Sequence, residues 1–496
     1  MDTIVNYLLK SRGRQIRLAD IPRYLGFAAV LLLAGCAVRP VNPPIAEYHR
    51  GEGYTLASRR QFAANPNLVI LAFSGGGTRA AAFSYGVLEA LRRTEIVGPT
   101  GKREPFLDEV NIITGVSGGS FTALAYGLYG DRLFDIYQKA FLKRDVQAEL
   151  IARVLNPLNW GALSSTGWGR SEIAAELYDK ILFHGATFAD LDRGNGPLIS
   201  VTATDLATGF RLPFNQGVFD ILCSDLDAVP LSRAAAASSA VPVALSPVTL
   251  NNYGGTCGFH VPPWLRRFEN PATMPRPAAR VAAWLKEMEV YNDGVDHPYV
   301  HLVDGGVSDN VGLRSVMDVL QAYLAARLIG EPTPLDHLRR IVVFVVNSQS
   351  DPSIDWDKRE SPPGIVATLL KVTGEPIDRN SDEAVEQLKD MAANWQLLRR
   401  IRNSPAFAAK KDPALSAVMN APNIDLHVVD VSFGALKDRA EARYLDNLPT
   451  SFVLPDKAVD RLRAAAGEIL RESPDFQQLL HATSATSLVI PAKAGT

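Results

Sequence analysis

Three short stretches carry residues whose types and order can do chemistry. In Asn111-Ile112-Ile113-Thr114-Gly115-Val116-Ser117-Gly118-Gly119-Ser120, an apolar, β-branched run stops at a small-residue turn and passes into Phe121-Thr122-Ala123-Leu124-Ala125-Tyr126. The pattern reads as strand, tight elbow and helix with Ser117 at the apex, where glycines on both sides tolerate a strained backbone and leave the hydroxyl uncovered. At a helix N-terminus the partial positive charge favours an alkoxide-like nucleophile and the oxyanion it generates. Ser74-Gly75-Gly76-Gly77-Thr78-Arg79 follows another apolar run and aims unobstructed backbone N–H groups into one concavity, which suits a phosphate or an oxyanion. It lacks the Gly-Lys-Ser/Thr ending of a P-loop and does not fit G-x-G-x-x-G, and a serine elbow follows it, so an oxyanion hole at Gly75, Gly76 and Gly77 is expected. The third stretch is Asp304-Gly305-Gly306, after the strand-like Tyr299-Val300-His301-Leu302-Val303. An aspartate at a strand's C-terminal end sits where open α/β sheets place their ligands, which puts Asp304 on the same edge as Ser117. An ordinary Asp-Gly turn is the alternative.

The elements that must hold these residues are legible in the same chain. Asn67 to Phe73 and Arg340 to Val346 are continuous apolar runs of strand length, as expected for strands covered on both faces. An Ala-rich helix follows the glycine run to about Arg93, and Leu133, Phe134, Tyr137 and Phe141 give a helix with an apolar face. Further strands are expected at Pro197 to Thr204 and Ile424 to Val431, and helices at about 311–328, 380–402 and 456–471. Residues 260–298 break this rhythm with prolines, two tryptophans and clustered arginines, and read as an insertion. Trp264 and Phe268 beside arginines suit a lipid interface, although such a face more often packs on its own domain.

Composition narrows the class. The 496 residues can bury a large core, and a net charge of −2 gives no electrostatic case for nucleic acid as partner. The three cysteines, Cys36, Cys223 and Cys257, show no metal-ligand spacing, and no metal or cofactor is expected. Basic residues to Arg23 precede the apolar run Tyr24 to Leu33, which is too short to span a bilayer but fits a signal-peptide core. The run ends in Leu33-Ala34-Gly35-Cys36, which resembles the lipobox of bacterial lipoproteins; Ala37 after it resembles the pattern that lets such proteins pass to the outer membrane. With Cys36 lipidated, Cys223 and Cys257 are either a disulfide in an oxidising periplasm or two buried thiols.

Taken together, Gly75-Gly76-Gly77-Thr78-Arg79, Gly115-Val116-Ser117-Gly118-Gly119, Ala237-Ser238-Ser239-Ala240-Val241-Pro242 and Asp304-Gly305-Gly306 resemble the patatin-like phospholipase family over about residues 67–325. The resemblance implies a three-layer α/β/α sandwich with a mostly parallel central sheet. It also implies hydrolysis of carboxylic esters of membrane phospholipid or other acyl lipids through an acyl-enzyme. Ser117 would be the nucleophile and Asp304 the base, without a histidine, and the Gly75-Gly76-Gly77 amides the oxyanion hole, with Arg79 ending that motif. The expected organisation is a lipoprotein signal peptide at 1–35, a lipidated Cys36 with a Pro-rich tether at 36–66 and a catalytic core at 67–330 with its insertion at 260–298. A C-terminal α/β extension packed on the core follows at 331–481, and a disordered tail at 482–496. The expected place is the cell envelope, anchored to the outer membrane and facing the periplasm.

Other readings compete. A Ser-Asp-His triad needs a histidine after the acid, and His337, His427 and His481 qualify by order, although His427 lies in a predicted strand and His481 in the tail. His301, alternating with Val300 and Leu302, reads as a strand residue. An acyltransferase, with an alcohol replacing water, or a lipid-binding envelope protein without turnover would use the same framework.

Overall fold

The computed structural model describes residues 38–59, 65–98, 101–165, 168–193, 196–242, 244–269, 278–351, 356–408 and 421–487. The segment expected to be a signal peptide, the lipobox-like stretch with Cys36, and residues 488–496 lie outside the described residues.

Strand β1 (Asn67–Phe73) shows why the architecture has three layers. Its Val69, Leu71 and Phe73 enter one buried cluster and its Leu68, Ile70 and Ala72 enter the other, the period of two that sends alternate side chains to opposite faces. Helices α1 (Gly77–Arg93) and α2 (Gly118–Tyr129) cover the first face. Strands β2 (Glu95–Val97) and β3 (Arg103–Pro105) form a small antiparallel hairpin, and β4 (Val110–Val116) leads into α2. Helices α3 (Val146–Leu155), α4 (Pro157–Leu163) and α5 (Arg170–Tyr178) precede β5 (Leu198–Asp205), β6 (Arg211–Phe214), helix α6 (Leu231–Ser238) and β7 (Val248–Asn251). Helix α7 (Ala278–Tyr291), β8 (Tyr299–Asp304), α8 (Arg314–Leu328), β9 (Arg340–Asn347), α9 (Ile365–Arg402), β10 (Asp425–Ser432), α10 (Asp456–Glu472) and α11 (Pro474–Ser487) complete the fold. Side chains of α8 and α9 build the second face with β1 and β9.

The sheet runs β10-β9-β1-β4-β5-β8-β7, with β6 added to β5. The pairs from β10 to β5 are parallel, whereas β5–β8, β7–β8 and β5–β6 are antiparallel. The expected three-layer α/β/α fold with a mostly parallel sheet is therefore the observed one.

Three expectations need correction, and the choice left at the insertion is settled. The segment 331–481 is no appendage: β9 lies between β10 and β1, and pairs all seven residues of β1 from Asn67↔Arg340 to Phe73↔Val346. Without it the apolar edge of β1 would be bare, so the sheet has no boundary near residue 330. Residues 38–59 are not a free tether but a strap on the body, held by polar contacts and by Ile45, Tyr48, Tyr54 and Leu56, which pack against the two core clusters. Buried Asn42 donates to Ser224 Oγ (2.8 Å) and to the Asn251 carbonyl (2.9 Å), and the Ile45 and Tyr48 amides donate to the Cys223 and Cys257 carbonyls (both 2.9 Å). Tyr54 is fully buried beside Phe188, and Arg59 pairs with Asp192 at 2.9 Å. Cys223 and Cys257 themselves form a disulfide under this strap. The insertion turns inward: Phe268, Leu265, Val281, Leu285 and Met288 are buried and Trp264 packs against the same cluster, because they complete the core beside β7 and β8. Finally, α11, anchored by Phe476 against Phe106 and Phe344, runs to Ser487, past residue 482 where the tail is expected to begin.

Candidate active site

Ser117 leaves β4 with φ +47° and ψ −117°, and α2 begins at the next residue. Positive φ is costly for a residue with a Cβ, on the order of 1–3 kcal/mol, and is retained where surrounding structure over-determines it. Here the surroundings are glycines: a Cβ on Gly118 would stand 2.0 Å from the Gly77 carbonyl oxygen, so only glycine lets the elbow touch the glycine loop after β1. The elbow amide is fixed as well, since the Ser117 N–H donates to Ser238 Oγ at 2.9 Å.

Asp304 arrives from the opposite direction. The sequence places it at the C-terminal end of a strand on the edge that carries Ser117, but β8 is antiparallel to β5, which reverses its ends. The two residues meet because β8 overlaps only the tip of β5, with Asp304 opposite Ala203, one residue beyond Thr202, which itself pairs with Val116. In that register the Ser117 hydroxyl donates to Asp304 Oδ2 at 2.8 Å, and the Gly306 N–H donates to Oδ1 at 2.8 Å. Ser117 and Asp304 are 6% and 7% exposed. Burial pushes the Asp304 carboxyl up from 3.8 to about 6, against the opposing pull of the Gly306 and Ser117 hydrogen bonds. A carboxylate in that range is a far better base near neutrality than a solvated one.

Ser238 joins the two. Its hydroxyl accepts from the Ser117 amide and donates to the Thr202 carbonyl (2.7 Å), while its own carbonyl accepts the Gly305 N–H (3.0 Å). The Ala240 carbonyl accepts the Asp304 N–H (3.0 Å), and Thr204 Oγ1 donates to the Asp304 carbonyl (2.9 Å). The stretch Ala237 to Pro242 thus ties the nucleophile's backbone to the acid's. Sequence reasoning singled out this stretch by resemblance without giving Ser238 a task; the only signal was a pair of serines closing an Ala-rich helix.

The three glycines do not share one role. The Gly75 N–H is committed to the Asn310 carbonyl at 2.8 Å, which removes it from the expected oxyanion hole. The Gly76 and Gly77 amides carry no partner among the described residues, and the Thr78 N–H beyond them is taken by the Ser451 carbonyl at 2.8 Å. Gly75 lies against the nucleophile, since a Cβ there would stand 3.3 Å from Ser117 Cβ. Of the three glycine amides, those of Gly76 and Gly77 are thus the two left uncommitted among the described residues.

Arg79 has turned away from that charge. Its guanidinium is buried and donates to the carbonyls of Ser348 (2.8 Å) and Leu448 (2.6 Å) and to Thr450 Oγ1 (3.1 Å), tying the start of α1 to β9 and to the loop before α10. Burial pulls it down to about 10, with Asp378 and Asp446 working the other way. That loop then places Phe452 against Phe121 and Tyr178, and Phe121 also stacks on Phe141, giving an aromatic wall along the first turn of α2.

No histidine joins the pair. His301 is exposed and meets Thr249 Oγ1 at 2.9 Å; His337 and His481 are exposed; His427 lies on β10, three strands from β4. Among the described residues no group of three or more His, Cys, Asp or Glu could hold a metal ion, and no helix is long and apolar enough to cross a membrane.

Residues 71–317 match the profile of the family described as "Patatin-like phospholipase". No curated protein sequence matches the chain. Among solved structures, human GIVD cytosolic phospholipase A2 is 14% identical, the match covering 89% of this chain and 68% of that one at a TM-score of 0.43. VipD from Legionella pneumophila is 11% identical, with 91% and 73% covered at a TM-score of 0.26. Both likenesses are loose, and the geometry above stands on the chain's own residues.

Proposed function

Because residues 71–317 belong to the patatin-like phospholipase family, we propose that this lipid hydrolase cleaves carboxylic esters of membrane lipids with Ser117 as nucleophile and Asp304 as its base. The observation that carries the reading is the 2.8 Å hydrogen bond from Ser117 Oγ to Asp304 Oδ2, made inside the protein with no histidine between them. Asp304 takes the hydroxyl proton as Oγ attacks the ester carbonyl, and the Gly76 and Gly77 amides receive the charge that develops on its oxygen. Collapse of the tetrahedral adduct breaks the C–O bond to the alcohol, which leaves with the proton from Asp304. Water then attacks the acyl-Ser117, giving its proton to the same carboxylate, and the returning Oγ recovers it as the fatty acid departs. The aromatic wall beside α2 suits an acyl chain.

Purified protein and a chromogenic ester test this directly. Ser117→Ala and Asp304→Asn should each lower kcat about a thousandfold or more, the double variant falling little further, because the two act as one unit. Replacement of His301, His337, His427 or His481 should leave the rate within a few-fold. Loss through any of those histidines as complete as through Ser117 would replace the dyad by a triad.

Anchoring through Cys36 and an outer-membrane location facing the periplasm belong to the same proposal, supported by Leu33-Ala34-Gly35-Cys36. Cells fed labelled palmitate should yield a labelled protein that becomes an unlabelled precursor in Cys36→Ser; an unlabelled wild type refutes the anchor.

A further inference from the structure

The insertion, one candidate for lipid contact, is folded into the core, yet an apolar surface stands elsewhere. On α3, Val146 and Leu150 face inward, whereas Ile151 and Leu155, four residues apart on another face, are 51% and 65% exposed. Asn156 caps the next helix, α4, on which Leu158 is 88% and Trp160 54% exposed. The other exposed large apolar side chains are spread along the chain, from Val38 and Val41 to Leu397 and Ile401. A soluble protein rarely spends four such residues on one short helical corner without a partner.

We propose that the α3–α4 corner is a docking surface for a lipid bilayer containing anionic headgroups, which it presents beside the entrance to the Ser117 site; this rests on the lipid-hydrolase reading above. Charge points to that partner. From Leu150 to Gly169 the chain carries a single charged residue, the cation Arg153. The neighbouring Glu149 is occupied by Arg144 at 2.5 Å and is held below its usual range by that pair first, with Arg153 and Lys180 adding to the effect. Arg153, between Ile151 and Leu155 in the chain, forms no ion pair of its own among the described residues, so the apolar corner carries a cation and suits phosphate-bearing lipid. Trp160 adds the amphipathic ring that favours the headgroup level.

Position points the same way. The Phe452 N–H donates to Gln147 Oε1 (3.3 Å) in the first turn of α3, and Phe452 follows Ser451, whose carbonyl holds Thr78 beside the glycine loop. From that rim at Gln147, α3 extends about 12 Å to Leu155. A bilayer meeting the corner would lie next to the Ser117 site, so a lipid could leave it without crossing open water.

Vesicles of phosphatidylethanolamine and phosphatidylglycerol test the surface. With brominated acyl chains in the vesicles and the full chain carrying Cys36→Ser and Ser117→Ala, tryptophan fluorescence should be quenched, and adding Trp160→Phe should remove most of the quenching. In the active Cys36→Ser chain, Leu155→Ser with Leu158→Ser and Trp160→Ser should leave a soluble short-chain ester hydrolysed within about twofold, while vesicle hydrolysis falls on the order of a hundredfold. Undiminished vesicle hydrolysis, or quenching that Trp160→Phe leaves unchanged, overturns the proposal. A dimer split by Leu158→Ser, with Trp160 unquenched, also overturns it by assigning the corner to a second copy. Trp160 quenched in a chain that hydrolyses no ester would uphold docking and refute the hydrolase reading.

Discussion

Asp304→Asn separates the cost of the buried carboxylate from its use. The carboxyl sits at about 6 against its ordinary 3.8, a rise of about 2 units. At 1.36 kcal/mol per unit this is on the order of 3 kcal/mol between its two protonation states. The sign follows from which form the fold prefers. Because the folded value is raised, the group's contribution is fully present below about pH 4 and is lost as pH rises through about 6. Above that, wild type carries the penalty of an ionised buried carboxylate. Asparagine stays neutral, can accept the Gly306 N–H through its oxygen, and can donate its amide to Ser117 Oγ, so little else changes. Denaturant unfolding should therefore find Asp304→Asn more stable than wild type by up to about 3 kcal/mol near pH 8, and nearly equal near pH 4. Its activity should fall about a thousandfold or more, and the wild-type kcat/KM on a soluble ester should rise with pH through about 6 to a plateau. A wild-type profile flat across that range, together with a variant less stable than wild type near pH 8, would refute the reasoning.

Three further outcomes are expected. Ser117→Gly and Ser117→Ala should both be inactive, but the glycine variant should unfold about 1 kcal/mol later, because only it relieves φ +47°; equal stability would mean that the elbow stores no strain. Arg79→Met leaves the Ser348 and Leu448 carbonyls without their donor and should cost about 2–4 kcal/mol, with faster proteolysis near residues 448–453; unchanged melting and proteolysis would remove Arg79 from the clamp between α1 and that loop. Opening the Cys223–Cys257 disulfide, which closes a separation of 34 residues, should cost about 3–4 kcal/mol in the Cys223→Ser Cys257→Ser protein, read as a lower denaturant midpoint.

The sequence by itself determined the local devices. The elbow at Ser117, the glycine loop after β1 and the Asp-Gly-Gly turn each demand a backbone conformation that a few adjacent residues must permit, so their residue types announce them. The continuous apolar runs of Asn67 to Phe73 and Arg340 to Val346 likewise announced strands buried on both faces. What tertiary structure alone decided is which of these segments meet. Asp304 reaches Ser117 on an antiparallel strand whose register no local pattern specifies, and β9 pairs with β1 across more than half the chain. Ser238 becomes the bracket, and Gly75 is spent on Asn310, through hydrogen bonds between residues far apart in sequence. The same holds for the surface: Trp264 and Phe268 look as suited to lipid as Leu158 and Trp160, and only packing turned the first pair inward and left the second outside. Periodicity reports that a residue seeks burial, but the partner is settled by the assembled core, where each apolar face must find a complementary one.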